Sequence, residues 1–109
     1  MADNGGLQRA FEAWQLYTRT TEYGGSRNKQ LPGLDYTAEQ MFYISFAQIW
    51  CHTPDKSADG LDDLKLSQDV HSPDAFRVNG VVSNSAQFQK TFGCKPKQKM
   101  NPEEKCVIW

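Results

Sequence analysis

A mainly α-helical chain with little or no sheet is what this sequence predicts, and three local signals carry the prediction. Apolar residues recur at three-and-four spacing in the first twenty residues; Thr37 and Gln40 form a capping-box pattern ahead of a run of large apolar side chains; and Phe88 and Phe92 stand one helical turn apart just before Gly93. The 109 residues suffice for one core and are too few for two, so residues 1–109 are read as a single segment.

The first helix is expected over "DNGGLQRAFEAWQLYTRT", where Leu7, Ala10, Phe11, Trp14 and Tyr17 or Thr18 share one face and Asp3 or Asn4 caps the start. "EYGGSRNKQLPGLD" then collects Gly, Ser, Asn and Pro and reads as a surface loop. The second helix begins at Thr37 and runs through "AEQMFYISFAQIWC". Because Met41, Phe42, Tyr43, Ile44, Phe46, Ile49 and Trp50 leave almost no polar face, it calls for cover on most sides. So short a chain has few elements to supply that cover, which suggests that it belongs to something larger. After an acidic connector, "CHTPDKSADGLDDLK", Ser72 and Pro73 have the form of an N-cap and first helical position for a short turn from Asp74 to Arg77. "VNGVVSN" reads as an extended piece or turn, and "NSAQFQKTFGC" as a short helix stopped by Gly93. The lysine-rich, proline-broken tail ends on four residues, Cys106 to Trp109, that are apolar enough to tuck into a core behind a disulfide at Cys106.

Composition removes several function classes. Hydrophobic residues make up 39% of the chain and its net charge is −1, which describes a folded soluble segment without the basic excess that nucleic acid or an anionic membrane demands, so no nucleic-acid partner is expected. No apolar run approaches the roughly 20 residues needed to span a bilayer, and "MADNGGLQ" has neither part of a signal peptide, so no targeting signal is read. Three cysteines, Cys51, Cys94 and Cys106, cannot all pair within one chain: at least one is free or bonded elsewhere. The terminal "CVIW" has the form of a prenylation box, but Trp is an unusual last residue for it. His52 and His71 are the two histidines, and neither lies at a metal-binding spacing from another ligand, so self-contained zinc binding finds no support. No nucleophile motif is present. The cluster Asp69, His71 and Arg77, taken by its residues alone, is a solvated surface turn with an ordinary ion pair.

Four blocks in order alter that last reading: "ADNGGLQRAFEAW", "LPGLDYTAEQMFYISFAQIWC", "DVHSPDAFRVNGVVSNSAQFQKTFGC" and "MNPEEKCVIW". Together they closely resemble the C-terminal end of the neprilysin and endothelin-converting-enzyme family, the M13 zinc metallopeptidases, over residues 2–109. The resemblance implies a small helical C-terminal segment of a gluzincin-type metallopeptidase ectodomain. In that family zinc is held by two histidines of an H-E-x-x-H helix and by the glutamate of an "ExxAD" segment. Ala2 and Asp3 match the final "AD", so the chain looks like a metallopeptidase cut just after its third zinc ligand.

What the resemblance carries over is a half-site. Asp3 matches the acid that hydrogen-bonds a zinc-ligating histidine, and His71 matches the donor to the oxyanion formed when the scissile carbonyl is attacked. Asp69 would orient His71 and favour its protonated, donating form. Arg77 matches the arginine that grips a substrate backbone carbonyl, and Ile49 and Trp50 match the apolar wall of the pocket for the side chain after the scissile bond. Cys51, Cys94 and Cys106 match cysteines bonded to upstream parts of an extracellular or cell-surface ectodomain. The implied activity of the parent is hydrolysis of small secreted peptides on the amino side of hydrophobic residues, with zinc as its cofactor. For this chain alone the expectations are no cofactor, no activity, and self-association through the exposed apolar helix. The alternative is a natural non-catalytic helical domain that binds peptides or a partner protein.

Overall fold

The computed structural model describes residues 2–20, 30–51 and 67–106. His52, the acidic connector over 52–66, most of the glycine-rich loop and the terminal Ile108 and Trp109 lie outside the described residues. Those that are described form four helices: α1 (Ala2–Thr20), α2 (Ala38–Gln48), α3 (Asp74–Asn84) and α4 (Ala86–Phe92). No strand occurs among them; one antiparallel bridge, between Gln98 and Asn101, closes a turn in the tail. The mainly α class with little or no sheet is therefore what the chain adopts.

Capping chemistry fixes two of the helix starts. The Thr37 hydroxyl accepts from the Gln40 backbone N–H at 3.2 Å while the Gln40 side chain accepts from the Thr37 N–H at 2.9 Å, the reciprocal pair expected from the sequence. The Ser85 hydroxyl accepts from the Phe88 N–H and opens α4, which Gly93 ends in the left-handed conformation at φ 64°. α1 begins at Ala2, so Asp3 lies inside its first turn rather than capping it.

Two other boundaries differ from the sequence reading. α2 stops at Gln48, and Ile49 and Trp50 form a turn beyond it instead of a further helical turn. The turn from Asp74 to Arg77 continues into an 11-residue helix that takes in "VNGVVSN". Its N-cap is Pro73 and no side chain caps it, so Ser72 lies one residue too early for the role read for it. Gly80 and the paired valines argue locally against a helix, but Val81 and Val82 are both buried in the core, and burial of about 1.5–3 kcal/mol per side chain outweighs a propensity deficit of about 1 kcal/mol.

The core gathers Leu7 and Phe11 from α1, Tyr43 from α2, and Val81 and Val82 from α3. Phe11 stacks on Tyr43 at 5.3 Å and meets Phe42 edge-on at 5.1 Å, and Tyr43 meets Phe88 edge-on at 5.3 Å, so one aromatic chain joins α1, α2 and α4. Tyr43 is the one buried residue of α2; Ile49, just past its end, is 74% exposed. The expected cover over α2 is therefore only partly supplied by these elements. The tail is held by polar bonds instead: Gln89 donates to the Ser83 and Met100 carbonyls, Lys105 to Ser83, Asn101 and Pro102, and Asn84 exchanges two bonds with the Cys106 backbone.

Two glycines should respond to alanine with opposite signs. A methyl on Gly80 meets nothing within 4 Å, so Gly80→Ala should raise the unfolding free energy by about 0.5–1 kcal/mol. Gly93→Ala also finds open space but must hold positive φ, and should lower it by about 1–2 kcal/mol. Chemical denaturation followed by circular dichroism measures both, and a loss at Gly80 would contradict the helical assignment of "VNGVVSN".

Candidate functional site

Three elements bring their ends together around Arg77. It lies in the first turn of α3, Asp3 lies in the first turn of α1, and Trp50 lies in the turn after α2. The Arg77 Nε donates to Asp3 Oδ2 at 2.7 Å and its Nη2 donates to Asp3 Oδ1 at 2.8 Å, a two-bond fork between residues 74 apart in sequence. The guanidinium carbon lies 4.0 Å from the centre of a Trp50 ring, a cation–π geometry. The Arg77 and Asp3 side chains are only 20% and 27% exposed, so water screens the pair weakly.

The charges register this arrangement. The hydrogen bond from Arg77 holds the Asp3 carboxyl below the usual carboxylate range, more than burial raises it, and the same bond raises Arg77 further. Beside them, Asp69 Oδ1 accepts from both the backbone N–H of His71 at 2.9 Å and its Nδ1 at 2.8 Å. These two bonds, the backbone one first, lower Asp69. The His71 ring is 62% exposed, and with Nδ1 turned to Asp69 its Nε2 is the nitrogen directed outward. Asp3 feels the charge of His71, and Asp69 that of Arg77, which puts the four groups in one electrostatic neighbourhood.

Ile49 lines a largely apolar groove of about 750 Å³ between α1 and α2, together with Leu7, Trp14, Tyr36, Met41 and Phe46, and Asp3 lies on the wall of the same groove. Trp50 faces Arg77 and is not part of that lining. Of the residues singled out from sequence, Asp3, Trp50 and Arg77 are thus in direct contact, Asp69 and His71 form a neighbouring pair, and Ile49 borders the groove. Cys51, Cys94 and Cys106 are unbonded, with Cys51 and Cys106 exposed and Cys94 half-buried. The Asp3–Arg77 fork and the Trp50 stack have no signal in periodicity or spacing, since both join residues far apart in the chain.

Among the described residues no group of three or more His, Cys, Asp or Glu side chains converges as a metal site would require, so these residues do not by themselves fit zinc. No described helix is long and apolar enough to cross a membrane.

An oriented guanidinium, an acid–histidine pair and an apolar groove lie together within one small helical unit. The model of peptidase family M13 matches residues 1–108, and the chain belongs to that family. It is 44% identical over 109 residues to neprilysin-3 of Drosophila melanogaster, 41% identical over 111 to human neprilysin and 42% identical over 111 to bovine endothelin-converting enzyme 1. Each match takes in the whole chain but only 13–14% of the relative.

A lowered carboxylate has a definite consequence for stability. The contribution of ionised Asp3 is complete above the ordinary carboxylate range and is lost as pH falls through its lower folded value. Asp3→Asn should therefore destabilise the chain at neutral pH, and the gap between variant and wild type should close as pH falls through the lowered Asp3 value. Unfolding free energies measured along that pH series check the sign; a gap independent of pH would mean that the charge of Asp3 contributes nothing.

Proposed function

We propose that this segment is the C-terminal part of a zinc endopeptidase that hydrolyses small secreted peptides on the amino side of hydrophobic residues, and that it supplies the groups that hold the peptide and stabilise the oxyanion. The observation that carries the reading is the fixed Arg77 guanidinium beside the Asp69–His71 pair, in a chain of the M13 family. Peptide hydrolysis builds negative charge on the carbonyl oxygen, and a positioned donor there contributes about 3 kcal/mol to the transition state. His71 is that donor through Nε2, with Asp69 fixing the ring at its Nδ1. Arg77 uses two of its donors on Asp3 and keeps the Nη1 edge for a backbone carbonyl of the peptide. Ile49 presents apolar surface to the side chain that follows the scissile bond.

The water-activating chemistry would be supplied by zinc bound to ligands outside this segment, one of which Asp3 would orient. The rest of the ectodomain is then the partner that covers the groove between α1 and α2. Its cysteines pair with Cys51, Cys94 and Cys106 in an extracellular or cell-surface setting, where such bridges persist. The segment alone is inactive on this reading and is prone to self-association through the same apolar surface.

Elemental analysis and peptide cleavage on a mass-verified 109-residue chain, beside the full-length protein, test the division of labour. The full-length protein should bind zinc and cleave with chelator sensitivity, and the segment should do neither; chelator-sensitive cleavage by the segment would refute it. In the full-length protein His71→Ala should lower kcat about 100-fold or more with little change in KM, the mark of a group that acts in the transition state.

A further inference from the structure

Trp50 sits beside Ile49 in the turn after α2, yet the two face different tasks: Ile49 lines the groove, and the Trp50 ring lies against the guanidinium of Arg77. Two hydrogen bonds to Asp3 fix the edge of the guanidinium plane, but a planar group held along one edge can still rock about it. A ring whose face lies 4.0 Å from the guanidinium carbon opposes that rocking, because attraction to the π-cloud holds the cation over the ring, along the ring normal. The backbone that carries the ring is itself anchored: the Trp50 backbone N–H donates to the Ala47 carbonyl at 3.1 Å and the Cys51 backbone N–H to the Gln48 carbonyl at 3.1 Å, which ties the turn to the last residues of α2. Low exposure of the Arg77 side chain strengthens the contact relative to one in open water.

We propose that Trp50 is a positioning residue for Arg77: with Asp3 it fixes the guanidinium in and out of its plane, so that the Nη1 edge is presented to a peptide carbonyl at a set angle. This rests on the reading that Arg77 holds the peptide. Trp50 then acts on peptide affinity through Arg77, over and above any apolar contact of its own with substrate.

The test uses the full-length peptidase and a fluorogenic peptide with a hydrophobic residue after the scissile bond. Trp50→Leu should lower kcat/KM about three- to tenfold, chiefly through KM, and Trp50→Phe should restore most of the loss. In an Arg77→Met background, Trp50→Leu should change kcat/KM by less than about twofold, because the group it positions is gone. Fluorinated tryptophans placed at position 50 weaken the π-face while keeping the shape, so KM should rise with each added fluorine even if Trp50→Leu does not fold. A flat fluorine series, or an undiminished loss in the Arg77→Met background, would overturn the positioning role while leaving the peptide-holding role of Arg77 intact. An Arg77→Met variant with unchanged kcat/KM would overturn both.

Discussion

Arg77 and Asp3 are 74 residues apart, and two hydrogen bonds of 2.7 and 2.8 Å close that distance. The fork joins the first turn of α1 to the first turn of α3, and the Trp50 stack adds the turn after α2 to the same point. The candidate site residues lie around this junction. The Asp69–His71 pair precedes α3 in the chain, and Asp3 and Ile49 line the groove between α1 and α2. An arginine suits such a junction because its charge is permanent and its donors are planar and directional; a lysine would keep the charge and lose the angle.

The aromatic core and the polar junction divide the structural work between them. Phe11, Phe42, Tyr43 and Phe88 hold the helices together without specifying direction tightly, while the Asp3 fork orients the starts of α1 and α3 relative to each other. The apolar surface left around α2 is the counterpart of this economy. Leu31, Tyr36 and Ile49 are exposed at or beside the groove, more apolar surface than so small a unit gains by showing to water. The segment spans 13–14% of the length of its relatives, and the role proposed for it is one wall of a larger peptidase.

How much of this was legible in the sequence depended on range. The Thr37–Gln40 box and the Ser85 to Gly93 helix were legible because their signals are complete within a few residues. α3 was read too short because Gly80 and the paired valines favour other conformations locally, and it is the burial of Val81 and Val82 in one cluster with Phe11 and Tyr43 that makes the stretch helical. Ser72 looked like a cap because the serine–proline pattern is common at helix starts, but here Pro73 itself occupies that position. At the site, the resemblance to the M13 family singled out Asp3, Ile49, Trp50, Asp69, His71 and Arg77, but not that Asp3 and Trp50 both bind Arg77. No period or spacing encodes a contact across 74 residues, so that junction became visible only in three dimensions.

The most direct test of the junction is to observe the Arg77 side chain by nitrogen-15 nuclear magnetic resonance in the 109-residue chain, with its signal assigned from the one lost in Arg77→Lys. A guanidinium held by Asp3 and Trp50 should show an Nε–H signal that exchanges slowly with water, with Nη signals split by hindered rotation, and both features should vanish in Asp3→Asn. An Nε–H that exchanges as fast as those of exposed arginines such as Arg9, and that is indifferent to Asp3→Asn, would contradict the account at its centre.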